Sequence, residues 1–428
     1  MKLKAINFIA IVLALSFILH LLYISDSKSG NSDGIEPLYD IFEGKFISSD
    51  GTVLMESGEE SRAGVLAFPI EYSALLGYNT YKMGKSGLRK KLESYLYFGE
   101  TVNSNGDDIY LTVNNSVQLN CFNLISSLNA DASAVILSNK TGAVISLVST
   151  KKDVILNVNT IDEDFKSISQ TESSLIPEWA ISRCPGSTFK IIASVPIIEN
   201  ELQSFEVNDS KGEIEVNGSV IHNYNGVARG KTNLKNALRY SSNVYFVYMY
   251  TNKIFGSSLE KIARLFKLGE SLELDFASLS SNFDLKINSK TEVAQTAFGQ
   301  GKTLLTPVHL AMIMATVVNG GEMTEPYMIE SIKQKNAVVY EHKSIQKERI
   351  VSSKTAKVLC DALNYTAKNY GIDALYAKSG TAQTPEGTQA WMVSADKDYT
   401  VVISATNIGM GGELKKLTSE IYKILEMI

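Results

Sequence analysis

The sequence is poor in the residues that build metal sites, disulfide frameworks and histidine-dependent catalytic triads. Its three cysteines form no CxxC pair and have no neighbouring histidine, and its four histidines form no HExxH motif. We therefore expect no metal site, no disulfide framework and no Ser-His-Asp triad. We expect the cysteines to be reduced and mostly buried; they are Cys121, Cys184 and Cys360.

The sequence also lacks an excess of positive charge. It has 41 Lys and Arg against 46 Asp and Glu, which gives a formal net charge of −5. Nucleic-acid-binding proteins neutralise phosphates with clustered basic residues, so we predict no nucleic-acid partner. A local basic run from Lys82 to Lys91 is interpreted as a solvated helix face. A P-loop ending at Gly301-Lys302-Thr303 is excluded, because Thr296 stands where that motif requires glycine.

The composition is that of a globular protein with more than one domain. The chain has 428 residues, of which 44% are hydrophobic and 20% are charged. That length exceeds one ordinary compact domain. We predict a cytoplasmic N-terminus at 1–4, a transmembrane anchor at 5–24, a flexible tether at 25–39, a smaller N-terminal domain at 40–127 and a large domain at 128–428.

The predicted anchor rests on an uncharged run near the N-terminus. Residues Ala5 to Tyr23 contain no Asp, Glu, Lys or Arg. As a helix this run would be about 28 Å long, close to the ~30 Å hydrocarbon core of a bilayer. Lys2 and Lys4 precede it, so the positive-inside rule predicts a single-pass cell-membrane protein whose large domain is extracytoplasmic. A cleaved signal peptide is the alternative, but the run is longer than a usual signal core and no Ala-x-Ala site follows.

Hydrophobic patterning in the large domain predicts strands, then helices, then strands again. Strands at both ends of a domain can pair with each other, so we predict an α+β fold with a mostly antiparallel sheet flanked by helices. A hairpin around Asp50-Gly51 is predicted in the smaller domain. The predicted elements of the large domain are strands at 133–137, 143–149, 389–393 and 399–406, and helices at 187–270, 290–318 and from about 413.

The segment Pro185-Gly186-Ser187-Thr188-Phe189-Lys190 places a lysine one helical turn after a serine. The apolar run that follows predicts a helix opening near Ser187, and residues i and i+3 share a helix face. An amine there can take the serine's proton while the helix N-terminus stabilises negative charge, so no histidine is needed. Lys190 must then be partly neutral. Ser-x-x-Lys is frequent by chance, and the alternative is a capping serine beside a solvated lysine.

Two further motifs favour the catalytic interpretation. Ser241-Ser242-Asn243 lies between predicted helices at 233–240 and 244–250, where a turn can present a hydroxyl and an amide to a cleft. Lys378-Ser379-Gly380-Thr381-Ala382 predicts an edge strand whose lysine and hydroxyls face a ligand. Gly380 would allow close backbone approach to that strand.

These motifs resemble those of the class B penicillin-binding proteins, which are peptidoglycan D,D-transpeptidases. The order S-x-x-K, S-x-N and K-S-G is that of penicillin-binding proteins and serine β-lactamases. The segments at 296–301 and 305–307 strengthen the resemblance, which covers roughly residues 128–428. It implies the penicillin-binding transpeptidase fold with a smaller, pedestal-like N-terminal domain. It also implies catalysis through a serine acyl-enzyme and covalent inhibition of the enzyme by β-lactams, with D,D-carboxypeptidase activity as a possible side reaction.

The resemblance also implies a role for each motif residue. Ser187 would attack the penultimate D-alanine carbonyl and Lys190 would activate it. Ser241 and Asn243 would assist proton transfer and substrate binding. Lys378 would act with the substrate-binding residues Ser379, Gly380 and Thr381 on the terminal carboxylate. The backbone N–H groups of Ser187 and Thr381 would form the oxyanion hole.

Three positions depart from the family's usual pattern. Ser379 stands where threonine is commoner, but it keeps a hydroxyl. Cys184 occupies a position that is often aromatic or acidic. Pro196 is expected to interrupt the nucleophile helix after about two turns.

Two alternatives remain open. A serine β-lactamase shares the three motifs, but it would need a deacylating glutamate in an E-x-x-L-N segment, which residues 270–275 do not supply. A non-enzymatic β-lactam sensor or scaffold could share the fold, although the intact catalytic residues argue against inactivity. Substrate turnover, rapid antibiotic hydrolysis and the absence of both would separate the three functions.

The resemblance implies peptidoglycan stem peptides and β-lactams as ligands and no cofactor. No glycosyltransferase-sized segment precedes residue 128, so a separate glycan polymerase is the expected partner.

Overall fold

The computed structural model describes residues 42–428 except 60, 81, 83, 98–104, 153, 164–175, 276, 336, 344–346 and 385–386. Among the described residues, no helix is both long enough and apolar enough to cross a bilayer. The predicted N-terminus, transmembrane anchor and tether at 1–39 lie outside the described residues.

The described strands are β1 Phe46–Ile47, β2 Val53–Gly58, β3 Ser61–Leu66, β4 Asn79–Thr80, β5 Gly84–Lys85, β6 Asp108–Leu111, β7 Ala132–Ser138, β8 Val144–Thr150, β9 Val207–Asp209, β10 Glu213–Val216, β11 Ser219–His222, β12 Gly230–Thr232, β13 Ser271–Leu274, β14 Ala277–Ser280, β15 Glu322–Met323, β16 Ile329–Gln334, β17 Ala337–Glu341, β18 Glu348–Arg349, β19 Tyr376–Thr384, β20 Gly387–Ala395 and β21 Tyr399–Thr406. The described α-helices are α1 Ser73–Leu76, α2 Gly87–Lys91, α3 Glu93–Leu96, α4 Asn115–Ser126, α5 Lys190–Glu199, α6 Leu234–Tyr240, α7 Asn243–Asn252, α8 Gly256–Leu265, α9 Lys290–Ala297, α10 Pro307–Val318, α11 Ser353–Tyr370 and α12 Lys415–Leu425.

A five-stranded sheet forms the centre of the large domain, in the order β19-β20-β21-β7-β8. Every neighbouring pair is antiparallel, and the strands come from both ends of the domain. The predicted α+β organisation is therefore confirmed. Strand β19 is an edge strand, as the sequence predicted, and it packs against helix α11 and against the turn at 186–189, which carries the first motif.

Both faces of this sheet are buried, because successive side chains of a strand point to opposite faces. On β7, Val135 and Leu137 belong to the cluster that contains helix α10. Ala134 and Ile136 belong to a second cluster, which contains residues of α4 and α12. Strands covered on both faces have continuous apolar runs rather than alternation.

A second sheet has six strands in the order β17-β16-β6-β1-β2-β3, and four of them come from the upstream part of the chain. Its first hairpin turns at Asp50-Gly51 as predicted, and Gly51 takes a φ of 81° there. Strands β16 and β17 come from the downstream part of the chain, and β16 pairs antiparallel with β6. The domain boundary predicted near residue 127 stays a prediction. This sheet contains strands from both sides of residue 127.

Two expectations about secondary structure were wrong. Residues 207–232 form four short strands rather than helix, because the turn at Asn217-Gly218 joins two alternating segments, β10 and β11. Both turn residues have positive φ, as such a hairpin requires. Helix α5 continues past Pro196 to Glu199. Proline removes a single backbone donor there, and the helix ends only three residues later, so little of the hydrogen-bond ladder is lost.

The interpretation of the basic run at 82–91 as a solvated face was wrong for Arg89. Its guanidinium is buried and makes a bidentate ion pair with Glu43, at 3.0 Å from Nε to Oε1 and 2.5 Å from Nη2 to Oε2. Glu43 also accepts from the Gly64 N–H, and Arg89 donates to the Gly64 carbonyl. The pair therefore ties helix α2 to strand β3.

We predict that Arg89→Ala destabilises the protein by about 3–5 kcal/mol, because it leaves the Glu43 carboxylate buried without a counter-ion. Urea unfolding of the purified chain measures this loss. Lys90→Ala is the matched control on the same helix, since Lys90 is exposed and its loss should change stability by less than about 0.5 kcal/mol. Equal unfolding midpoints for the two variants would contradict the importance of the pair.

Candidate active site

The three motifs of the sequence lie on three separate elements that meet at one edge of the central sheet. Ser187 lies in a 3-10 turn, Gly186–Phe189, that runs directly into α5. Ser241 and Asn243 lie at the junction of α6 and α7. Lys378 lies on the edge strand β19. The lysine side chains of the first and third motifs both reach Ser241 of the second.

Glycines allow the backbones around Ser187 to approach closely. A Cβ on Gly186, whose φ is 53°, would lie 2.6 Å from the Thr381 carbonyl oxygen. A Cβ on Gly380 would lie 2.7 Å from the Pro185 carbonyl oxygen. The close backbone approach that we predicted at Gly380 is thus made by the turn that carries Ser187. Close packing of the turn on β19 brings the Ser187 and Thr381 segments together, as an oxyanion hole built from both would require.

Lys190 is fully buried, and its amine is surrounded by oxygen atoms from the first and second motifs. Its Nζ lies 2.9 Å from Ser187 Oγ. It donates to the Ser241 carbonyl at 2.8 Å and to Asn243 Oδ1 at 2.7 Å. The Ser241 hydroxyl lies further away, at 3.4 Å.

This arrangement suits a neutral amine. A neutral amine has two N–H groups and one lone pair, and the Ser241 carbonyl and Asn243 Oδ1 can only accept hydrogen bonds. The lone pair is then left for the proton of Ser187. Burial lowers the pKa of Lys190 well below the usual lysine range, and the nearby positive charge of Lys378 lowers it further. The expectation that Lys190 is partly neutral is thus supported by its surroundings.

Ser241 connects the two lysines. It adopts a left-handed conformation (φ 57°, ψ 38°) at the end of α6, which is uncommon for a residue other than glycine. This conformation turns its carbonyl towards Lys190 while its hydroxyl accepts from Lys378 Nζ at 3.0 Å. A proton path between the two amines through the hydroxyl is therefore short.

Asn243 is held by residues that the sequence interpretation missed. Its Nδ2 donates to the His222 carbonyl, which fixes Oδ1 towards Lys190. Its backbone N–H donates to Oδ1 of Asn223 at 2.8 Å, and that oxygen also accepts from Ser242 and Val244. Asn223 is buried and donates in turn to a carboxylate oxygen of Asp209 at 2.6 Å. The turn residues around 209–212 and 223–226 were visible in the sequence, but no local pattern connects them to the second motif.

On the edge strand, Lys378 is fully buried, and burial lowers its pKa. It donates to its neighbour's carbonyl, that of Ser379, at 2.6 Å. The Ser379 hydroxyl lies 2.8 Å from the phenol oxygen of Tyr370, another residue that the sequence did not single out. Thr381 Oγ1 accepts from the Gly411 N–H at 3.1 Å. Two hydroxyls and a cation therefore lie along the strand predicted to recognise a carboxylate.

Cys184, the unusual residue before the nucleophile, is buried and donates from Sγ to the Gly299 carbonyl at 3.1 Å. Burial raises the pKa of its thiol, which keeps the proton needed for that bond. Its own carbonyl accepts from Nε1 of Trp391 at 2.9 Å. The three cysteines are free, as expected: Cys121 and Cys184 are buried and Cys360 is partly buried.

A sequence model of the family described as "Penicillin binding protein transpeptidase domain" matches residues 132–425. The chain is similar to "Penicillin-binding protein 3" of Bacillus subtilis (strain 168), with 25% identity over 328 residues. The match covers 71% of this chain, which spans 48% of that relative's length.

Two solved structures show the same fold. One is described as the "D,D-Transpeptidase Domain of Peptidoglycan Glycosyltransferase from Eggerthella lenta", with TM-score 0.80, 21% identity and coverage of 90% of this chain and 97% of that one. The other is penicillin-binding protein A from M. tuberculosis as a "penicillin G acyl-enzyme complex", with TM-score 0.80, 21% identity and coverage of 90% and 99%. The predicted fold class of the large domain is thereby confirmed.

We predict that Gly299→Ala disturbs the nucleophile turn, because its Cβ would lie 1.8 Å from the Gly186 carbonyl oxygen. Relieving that overlap should cost about 1–3 kcal/mol and displace Ser187. Gly301→Ala is the matched control, since Gly301 has a similar φ of 81°, but the nearest atom to its Cβ outside its chain neighbours would be Gln295 Cβ at 3.8 Å. Acylation by fluorescent penicillin should therefore fall much further in Gly299→Ala than in Gly301→Ala. Equal labelling of the two variants would show that the close approach is unimportant.

Proposed function

We propose that this chain, which belongs to the penicillin binding protein transpeptidase domain family, is a serine D,D-transpeptidase that cross-links peptidoglycan stem peptides. The observation that carries the proposal is the buried Lys190 amine, which lies 2.9 Å from Ser187 Oγ with its other two short contacts to acceptor-only atoms. Such a pair supplies a nucleophile and its base without histidine, metal or cofactor.

In the acylation step, Ser187 Oγ bonds to the penultimate D-alanine carbonyl carbon while its proton passes to Lys190. The backbone N–H groups of Ser187 and Thr381 would stabilise the oxyanion of the tetrahedral intermediate. When the peptide bond breaks, the departing D-alanine amine takes a proton from Lys190, either directly or through the Ser241 hydroxyl. The products are an ester on Ser187 and free D-alanine.

In the second step, the amine of a neighbouring stem peptide attacks this ester. The amine's proton returns through Lys190 to Ser187 Oγ as the ester bond breaks. A new peptide bond links the two stem peptides, and the enzyme is regenerated. Attack by water in place of the amine would give D,D-carboxypeptidase activity.

The edge strand would bind the terminal carboxylate of the donor peptide. Lys378 supplies a positive charge, and Ser379 and Thr381 supply hydroxyl donors on the same strand. Charged hydrogen bonds of this kind orient a substrate more strongly than neutral ones. A β-lactam carries a comparable carboxylate beside its reactive amide, so it would acylate Ser187 by the same route.

The acyl-enzyme formed with a β-lactam should persist, which separates a transpeptidase from a serine β-lactamase. The hydrogen-bond partners described for Lys190 and Lys378 are hydroxyl, amide and carbonyl groups, without a carboxylate. No E-x-x-L-N segment follows the second motif in the sequence. Water would therefore lack a base in the deacylation step.

Membrane attachment and assembly are further parts of the proposal. The uncharged run at 5–23 and the preceding lysines support a single transmembrane anchor with the catalytic domain outside the cell membrane. The resemblance to monofunctional class B proteins supports a separate glycan polymerase as partner.

We expect fluorescent penicillin to label the full-length chain once, as a band stable for many minutes. Ser187→Ala and Lys190→Ala should each abolish labelling, because nucleophile and base act as a unit. Lys354→Ala is the control, since Lys354 is exposed on the surface.

The acylation rate should rise with pH as Lys190 loses its proton, because only the neutral amine can accept the proton of the serine. Because the pKa of Lys190 is lowered, the rate should level off at a pH below the usual pKa range of lysine.

Three other outcomes would redirect the assignment. Antibiotic consumed in large excess over protein would indicate a β-lactamase. Stable labelling without cross-linking of stem-peptide substrates would favour a sensor or scaffold. Undiminished labelling of the Lys190 variant would exclude this lysine as the base.

We predict that deleting residues 1–24 moves the protein from the membrane fraction to the soluble fraction while penicillin labelling persists. The deleted segment supplies location, whereas the described catalytic groups begin at Ser187. Fractionation of cells that express each form measures the distribution. Membrane association of the folded truncation would contradict the anchor.

A further inference from the structure

Tyr370 is the last residue of helix α11 and reaches the edge strand beside the third motif. Its phenol oxygen lies 2.8 Å from Ser379 Oγ and accepts from the Ser379 N–H at 3.3 Å. The ammonium of Lys415, from α12, lies 4.9 Å from the centre of its ring. The phenol is therefore fixed against one residue of the strand.

The hydrogen-bond pattern gives this phenol a directional effect on Ser379. Because its oxygen accepts from the backbone N–H, its own proton can be donated to Ser379 Oγ. The Ser379 hydroxyl then keeps its proton for a different acceptor. On a strand that also presents Lys378 and Thr381, that acceptor is a substrate carboxylate. Hydrogen bonds in such a chain strengthen one another.

The charges around the phenol are positive. Lys378 faces it from β19 and Lys415 from α12. The neutral amine of Lys190, from α5, lies behind Lys378 and is linked to it through Ser241. Burial alone would raise the pKa of Tyr370, but Lys378 and the hydrogen bonds with Ser379 outweigh it, so the pKa is lowered. Conversely, burial lowers the pKa of Lys378, and Tyr370 partly opposes this effect.

We propose that Tyr370 is a positioning residue for carboxylate recognition, which acts by orienting the Ser379 hydroxyl. The inference rests on the proposed function, since it concerns how the same site distinguishes a substrate that carries a terminal carboxylate. It adds a residue from outside the three motifs to the recognition strand.

The test compares benzylpenicillin with its methyl ester, which keeps the reactive ring but lacks the carboxylate. Acylation rate constants are measured for the full-length chain in detergent by competition with fluorescent penicillin. Tyr370→Phe removes the hydroxyl and keeps the ring, and it should lower the acid-over-ester preference about 10-fold, as expected for loss of a hydrogen bond to a group that binds an ion. Tyr365→Phe is the matched control on α11, because its hydroxyl contacts Arg239 instead. Its preference should equal that of the wild type.

A double-mutant comparison distinguishes positioning from packing. In a Ser379→Ala background, which should itself lower the preference, Tyr370→Phe should have a much smaller effect, because the two residues act through one contact. Melting temperatures identify any variant that fails to fold. If Tyr370→Phe fails to fold, the effect of Ser379→Ala on the acid-over-ester preference tests the inference.

The outcomes separate the inference from the function on which it rests. An unchanged preference in Tyr370→Phe, or in Ser379→Ala, would overturn the inference while wild-type acylation upheld the function. Additive effects of the two substitutions would also overturn it. A wild-type chain that neither compound acylates would overturn the proposed function and the inference with it.

Discussion

The active site depends on a lysine amine that has been removed from water. Taking an ammonium ion into a protein interior costs several kcal/mol, and Lys190 has no carboxylate among its described partners to offset that cost. Releasing the proton avoids the penalty, and a neutral amine needs only two acceptors and one donor. The Ser241 carbonyl, Asn243 Oδ1 and the Ser187 hydroxyl meet that need. The chemistry of the serine therefore follows from the burial of its neighbour.

The architecture supplies this burial by bringing distant segments together. The central sheet takes strands from both ends of the large domain, so the edge strand β19 lies beside a turn almost two hundred residues earlier in the chain. Glycines at 186, 299 and 380 allow the backbones to touch. The second motif closes the remaining side, and the Asp209–Asn223 pair holds its turn in place. Each motif is local in sequence, but the site exists only where the three meet.

The difference between local motifs and contacts of distant segments explains what could be predicted from the sequence. Local signals were reliable: the hairpin turns at Asp50-Gly51 as its residues predicted, and Ser187, Lys190, Ser241, Asn243 and Lys378 converge as their motifs indicated. Signals that depend on a distant partner were not. Arg89 looked solvated because Glu43 lies far away in the sequence, and Asn223 and Tyr370 carry no pattern that points to the site. The hairpin at Asn217-Gly218 could have been recognised from its turn residues, but the surrounding helical interpretation obscured it.

The upstream sheet has a consequence for the order in which the protein is built during synthesis. Ile109 of β6 pairs with Ile332 of β16, more than two hundred residues later. Pairings at such separation form slowly, because a long loop must close first. Until β16 and β17 have emerged from the ribosome, β6 presents an unpaired edge on which foreign strands can dock. The nascent chain therefore has a long interval of exposure to aggregation that ends only after most of its catalytic residues have been synthesised.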